Sequence, residues 1–234
     1  MNWMAQLRRL SAAVTIVLVS GTAFAQSTPA MPGDPNAEKY FPKLIEFPET
    51  QGDANVRLFC QAMLKKNGKV DQSGCAIQNA WEPDFASAVA KGAKKAQFVP
   101  ATIDGDGIEV LIYFQVEFLK TQEDGESINV YMNSAITENV EEYGENYIEA
   151  QRVFKKIGPW AKICPKRADW ILYALAHIDE QGTPSSVNLE HGGGIVPTGE
   201  CQSAIIEAIE SSRFIPAIVD GVPVPSSYIE PFGN

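Results

Sequence analysis

The sequence predicts an α+β protein made of two tandem β-β-α-β modules with small antiparallel sheets. Three observations carry that expectation. The chain states one phrase twice: Gln97–Val110 reads "QFVPATIDGDGIEV" and Arg213–Pro225 reads "RFIPAIVDGVPVP". A stretch with helical periodicity runs into each phrase. A hairpin signal precedes each of those stretches. Aligned without a gap, Asp84–Gly105 and Glu200–Gly221 are identical at seven of 22 positions: Ser87/Ser203, Ala88/Ala204, Phe98/Phe214, Pro100/Pro216, Ala101/Ala217, Asp104/Asp220 and Gly105/Gly221. Self-similarity at that level marks an internal repeat and sets the expected architecture.

The elements follow in order. Residues 1–25 read as a cleaved signal peptide. Arg8 and Arg9 precede an apolar run, Ala12–Val19, and "AFA" at Ala23–Ala25 is a small-x-small cleavage signal. The run is too short to span a bilayer, so no stable membrane insertion is expected after cleavage. Residues 26–55, rich in Pro, Gly and acids, read as an irregular leader. The first module is expected over residues 56–134. Its strand "VRLFCQAMLKK" and return strand "KVDQSGCAIQNA" flank an Asn67-Gly68 turn. Pro83-Asp84 opens a helix whose apolar face is Phe85, Ala88, Val89, Ala93 and Ala96. The strand "IEVLIYFQVEF" follows, and "SINVYMNS" alternates like a strand able to extend the same sheet. Residues 135–160 are expected to connect the modules, with a short helix over "ENYIEAQRVFKKIGP" stopped by Gly158-Pro159. The second module is expected over residues 161–234. It holds the strand "DWILYALAHID", a turn at Gln181-Gly182, the return strand "SSVNLEH" and the loop "GGGIVPTG". A helix with Ile205, Ile206 and Ile209 inward comes next, and then the repeated phrase.

Charge and cysteines narrow the function class. The net charge is −10, and loss of Arg8 and Arg9 with the signal peptide takes it to −12. Such a surface repels nucleic acid and anionic lipid. The four cysteines, Cys60, Cys75, Cys164 and Cys201, suggest two disulfides in an exported protein and a periplasmic location. A two-residue turn at Asn67-Gly68 makes cross-strand partners sum to 135, as Cys60 and Cys75 do. Counting outward makes them a hydrogen-bonded pair, with Cα atoms about 5.5 Å apart. Cys164 and Cys201 lie beyond the strands of the second hairpin, which still brings them together. The expected pairs are Cys60–Cys75 and Cys164–Cys201.

The helix followed by "RFIPAIVDGVPVPSSYIEPF" resembles the C-terminal domain of TonB-type energy transducers. The matching residues are Arg213, Phe214, Pro216, Ala217, Asp220, Gly221, Pro223 and Val224, and in the first copy Phe98, Pro100, Ala101, Asp104 and Gly105. The family's membrane anchor and long Pro-rich linker are not matched. The resemblance implies a periplasmic binding module in duplicate, serving envelope transport or energy transduction to outer-membrane partners. The partner is then a protein or peptide of the cell envelope, bound by strand addition. By that resemblance the receiving edge falls at Val222, Val224 and Tyr228, although Pro223 and Pro225 remove amide donors there. The strand of the first copy, free of proline, is expected to be a central sheet strand.

Other motifs point to structure. "HGGG" at His191–Gly194 is like an esterase oxyanion loop, but the sequence has no Gly-x-Ser-x-Gly elbow to go with it. "DGDGIE" at Asp104–Glu109 lacks the ligand pattern of a calcium loop and reads as a turn. The acidic run Glu138–Glu149 reads as a solvated face. No cofactor or metal is implied, and no enzyme is expected. The alternative is a small hydrolase or ligand-binding domain built on the loop around His191.

Overall fold

The computed structural model describes residues 26–76, 82–154, 158–166 and 169–233. The expected signal peptide therefore lies outside the described residues. The fold is mixed α+β, with small, mostly antiparallel sheets and four α-helices among the described residues.

The N-terminal half begins with a short strand, β1 (Ser27–Thr28), and a 3₁₀ turn at Phe41–Leu44. A hairpin follows: β2 (Ala54–Leu64) and β3 (Val70–Cys75). Strand β2 alternates strictly, with Val56, Leu58, Cys60, Ala62 and Leu64 buried. Helix α1 (Glu82–Lys95) lays Phe85, Val89 and Ala93 on that face. Two short strands, β4 (Thr102–Ile103) and β5 (Asp106–Gly107), turn through Asp104 and Gly105. Both have positive φ, 53° and 85°, as a two-residue mirror-image turn requires. Strand β6 (Val110–Thr121) then pairs with β2 along its length, and β7 (Gly125–Tyr131) adds to β6.

The connection holds α2 (Thr137–Tyr143), β8 (Gln151–Val153) and a one-turn helix, α3 (Trp160–Ile163). The C-terminal half continues with β9 (Trp170–Ile178), β10 (Pro184–Gly194) and α4 (Gly199–Glu210). Next come β11 (Phe214–Ile215), the hairpin β12 (Ala217–Val219) and β13 (Val222–Val224), and β14 (Ser226–Gly233). The larger sheet runs β11-β8-β6-β2-β3, with β7 also on β6; the smaller runs β10-β9-β14. In both halves the first hairpin strand is thus flanked by its return strand and by the strand that follows the helix. One core lies under α1. The other joins α4 and the inner face of the smaller sheet to Leu111 and Tyr113 on the back of β6.

Four expectations are corrected. The leader is not an irregular appendage: β1 pairs with β4, Met31 bridges Val99, and Phe41 is fully buried against Phe98 and Phe114 at 5.2 and 5.5 Å between rings. The segment expected as a helix over 145–159 is extended at Gln151–Val153, and residues 155–157 lie outside the described residues. Tyr147, Glu149, Ala150 and Gln151 are all buried, a near-continuous run that one helix face cannot present. The glycines after His191 extend β10 instead of forming a loop. A Cβ on Gly192 would meet the Tyr173 ring at 2.4 Å, so at this position the strand needs a residue without a side chain.

The fourth correction concerns the first hairpin. Its turn has three loop residues closed by Lys65 and Lys69, not two: the Lys65 N–H donates to Lys69 C=O at 2.8 Å, and the Gly68 N–H to Lys65 C=O at 2.8 Å. A bulge between Met63 and Leu64 in the register restores the sum of 135 farther out, and Cys60 sits opposite Cys75. The Ala76 N–H donates to Phe59 C=O, which makes 59/76 the hydrogen-bonded pair and 60/75 the non-hydrogen-bonded one. Accordingly their Cα atoms are close, at 3.9 Å. Both disulfides are present: Cys60–Cys75 across β2 and β3, and Cys164–Cys201 joining the end of α3 to α4. Disulfides of this kind form in oxidising compartments.

Candidate functional site

The repeated phrase serves packing. Phe98 and Phe214 are each about 1% exposed, and their N–H groups donate to Gly68 and Gly182 at 3.1 Å in both cases. A Cβ on either glycine would meet the phenylalanine's carbonyl oxygen at 2.0 Å. Each hairpin turn therefore needs glycine where it seats on its phrase. Pro216 is buried and Pro100 half-buried. Asp220 and Gly221 form the β12–β13 turn, with φ of 50° and 80°. Arg213 is exposed, and its C=O accepts the Val153 N–H at 2.8 Å.

The cleft of the molecule is elsewhere. A groove of about 800 Å³ opens between the back of the larger sheet, the loop Ser134–Glu138 and the end of β14. Its walls are mostly apolar. Phe59 and Tyr113 stand on one side, Ile136 on the loop, and Ile171, Tyr173 and Ile229 on the other. Phe59, Ile171 and Tyr173 remain 38, 40 and 37% exposed. Cys60 and Cys75 line one end. None of the other predicted site residues does.

Strand β14 brings an open edge to this groove. It pairs with β9 on one side, and among the described residues no strand follows on the other. At its start Asn139 of α2 takes the place of a neighbouring strand residue. Its side-chain Nδ2 donates to Ser227 C=O at 2.8 Å, and its Oδ1 accepts the Ser227 N–H at 3.0 Å. Strand alternation turns Ile229, Pro231 and Gly233 to that same side. Pro231 has no N–H to lose there, which is why proline is tolerated in this strand. The expected edge residues fall differently. Val222 and Val224 belong to the β12–β13 hairpin, where Pro223 stands opposite Ile218, and the Tyr228 side chain is fully buried. The open edge of β14 lies at Ile229–Gly233 because the chain reverses at Asp220-Gly221 and only then enters β14.

Two buried polar groups fix the groove's opposite walls. Arg152 of β8 grips Glu230 of β14, with its Nε donating to Oε2 at 2.7 Å, and Tyr228 OH donates to the same oxygen at 2.7 Å. Burial alone would lower the Arg152 pKa, but the charge and hydrogen bonds of Glu230 prevail and raise it. Burial pushes the Tyr113 and Tyr228 hydroxyls well above their ordinary range. On the other wall the Ser134 N–H donates to Oε2 of Glu149. Glu149 is entirely enclosed, and burial raises its pKa to about 7 against the pull of Ser134. Its Oε1 has no hydrogen-bond partner among the described residues. Asn133 braces the same loop: its Nδ2 donates to Glu145 and Tyr147 C=O, and its Oδ1 accepts from Gln115 and from the Ala135 N–H.

Compared with models of known protein families, with curated proteins and with solved structures, the chain matches none. His191, the centre of the alternative reading, is exposed on β10. Sequence reasoning missed Asn139, Glu149, Ile229 and Pro231. Two signals were present: a proline inside a strand marks an edge, and Phe59 occupies the polar phase of β2 between Arg57 and Gln61.

Proposed function

We propose that the chain is a duplicated, exported binding module that takes up an extended segment of a cell-envelope protein on the edge of β14. The observation that carries this reading is the unpaired edge at Ile229–Gly233, set in an apolar groove. Such an edge offers main-chain hydrogen bonds, and the groove offers contacts for alternate side chains.

Duplication is supported by more than the repeated phrase. The segment before each hairpin pairs with the phrase in matching register. Met31 faces Val99 and Thr28 faces Thr102; Gln151 faces Ile215 and Ile148 faces Ile218. The offsets are constant at 120 on one strand and 116 on the other. Ala30 and Ala150, equivalent on this scheme, are both buried, and the Gln151 side chain closes on Ala30 with two hydrogen bonds. A β-β-α-β unit with an added leading strand, ending in an open edge, is in keeping with a TonB C-terminal-like module of the periplasm. Two disulfides agree with that compartment.

Amide exchange is the test. A panel of extended Val/Thr peptides added to the disulfide-bonded protein is expected to slow exchange at Ile229 and Gly233, the two edge residues that carry an N–H. Unchanged exchange at both positions with every peptide overturns the reading.

A further inference from the structure

We infer that the segment received by this groove is short and basic at its C-terminal end: an extended stretch matching Ile229–Gly233, followed by lysine or arginine. The inference rests on the strand-addition reading and adds length, direction and charge to it.

Length follows from Asn139. Its carboxamide already satisfies both main-chain groups of Ser227, so an added strand cannot pair farther toward the start of β14. The strand ends at Gly233. Five residues of edge are left, and an incoming strand of the same length covers them.

Direction follows from the ladders. Both β9 on β14 and β10 on β9 are antiparallel, as are the pairings that β6 makes in the other half. Antiparallel pairing is the more stable per residue. An antiparallel guest lays its C-terminal end beside Ser227, and therefore against α2.

Charge follows from what stands there. Glu138 is the one charged side chain among the described groove-lining residues, and it precedes Asn139 on α2. Glu141 and Glu142 continue the same exposed surface. Arg57, on β2 just before the groove's Phe59, is held by Glu117 at 2.6 Å and Glu145 at 3.5 Å. The chain as a whole carries −10. A cationic flank is attracted to this end of the groove, and an anionic one is repelled. The rest of the guest meets Phe59, Ile136, Ile171, Tyr173 and Ile229, which suits apolar side chains on alternate residues.

Titration with four synthetic peptides tests direction and charge. Each shares a Val-Thr-Val-Thr-Val core: one bare, one with two lysines at the C-terminal end, one with two glutamates there, and one with the lysines at the N-terminal end. The C-terminal lysine peptide is expected to bind about ten-fold more tightly than its glutamate counterpart at low salt. High salt should shrink the difference. So should Glu138→Lys combined with Glu141→Lys, both exposed positions whose substitution leaves the core intact. Equal affinity of the lysine and glutamate peptides, with the bare core still binding, overturns the charge assignment while the strand-addition reading stands. An equal gain from N-terminal lysines overturns the direction. No binding by any peptide, bare core included, removes the strand-addition reading and this inference with it.

Discussion

The strand that follows the helix meets two different fates in the two halves. In the N-terminal half β6 is enclosed. It pairs with β2 on one side, and on the other β7 covers Gln115–Thr121 while β8 covers Val110 and Leu111. In the C-terminal half β14 pairs, among the described residues, with β9 alone, and the Asn139 side chain caps its outer edge. One topology thus yields a strand flanked on both sides and a strand with an open edge. An exposed edge is a hazard for association, and proteins shorten, cover or interrupt it. Here Asn139 shortens it, Pro231 interrupts it, and the groove keeps what is left. The halves also exchange their means of holding the helix. Phe85 of α1 packs on Phe47 and Phe118 at 6.0 and 4.9 Å between rings. Its counterpart in the gap-free alignment is Cys201, bonded to Cys164. Conversely, the cross-strand pair Cys60–Cys75 has Ala174–Leu189 as its equivalent, both pairs lying at the same distance from their turns.

The most damaging way to test this equivalence is to truncate the phenylalanine of each phrase. Phe98→Ala and Phe214→Ala should each cost roughly 3–5 kcal/mol, since both side chains are fully enclosed. The consequences should differ in place. Phe98 packs on Phe41, so its loss should free the leading segment to proteolysis. Phe214 packs on Tyr228 at 4.9 Å, so its loss should loosen β14 and the groove. Denaturant midpoints together with limited proteolysis check both. Unchanged midpoints would remove the two residues from the core.

Those phrases were the most legible part of the chain, and the reason is physical. A tight turn with two positive-φ residues needs Asp-Gly at a fixed place, and a seated hairpin needs one glycine. Such demands leave letters in the sequence. The strands, both helices of the repeat and both disulfide pairs could be read for similar reasons. The leader was misread because Ala30, Phe41 and Ile45 are each buried singly, with no period among them. The segment 145–154 was misread because helical letters there are overridden by burial on all sides, a tertiary effect. The groove was least legible. It lies between elements far apart in sequence, and no local pattern brings Phe59, Ile136 and Ile229 together.

The two groove walls differ in what holds them, and pH should separate them. The β14 wall is tied by the Arg152–Glu230 ion pair. The loop wall is tied by Glu149, whose enclosure raises its pKa to about 7. In the unfolded chain the same carboxyl titrates near 4.3. The folded state thus prefers the protonated form. That stability is fully present below about pH 4.3 and is lost as pH rises through 7, by about 4 kcal/mol across the window. Glu149→Gln keeps the neutral shape and should be the more stable protein at pH 8. It should also flatten the stability profile between pH 4.3 and 7. Urea melts at stepped pH measure this; an unflattened profile would place the titration elsewhere. Glu117, lowered by Arg57 and Asn129 despite its burial, acts in the opposite sense and below this window.

The smallest effect on stability should carry the largest consequence for the comparison between edges. Asn139→Ala removes two hydrogen bonds to Ser227 and one to the buried Tyr147 hydroxyl, worth roughly 2–3 kcal/mol together. It leaves the Arg152–Glu230 tie and the Tyr143 hydroxyl bond to Pro225 C=O, at 2.7 Å, in place. Strand β14 should therefore stay in its sheet. Its unpaired edge, however, now starts at Ser227 instead of Ile229, longer by one pair of main-chain groups. A guest strand of seven residues should gain affinity over one of five in the variant, while the unsubstituted protein should not tell them apart. Binding measured for the two lengths against both proteins decides the point. If the variant fails to favour the longer strand, Asn139 does not bound the edge, and the difference between the closed β6 and the open β14 has some other origin.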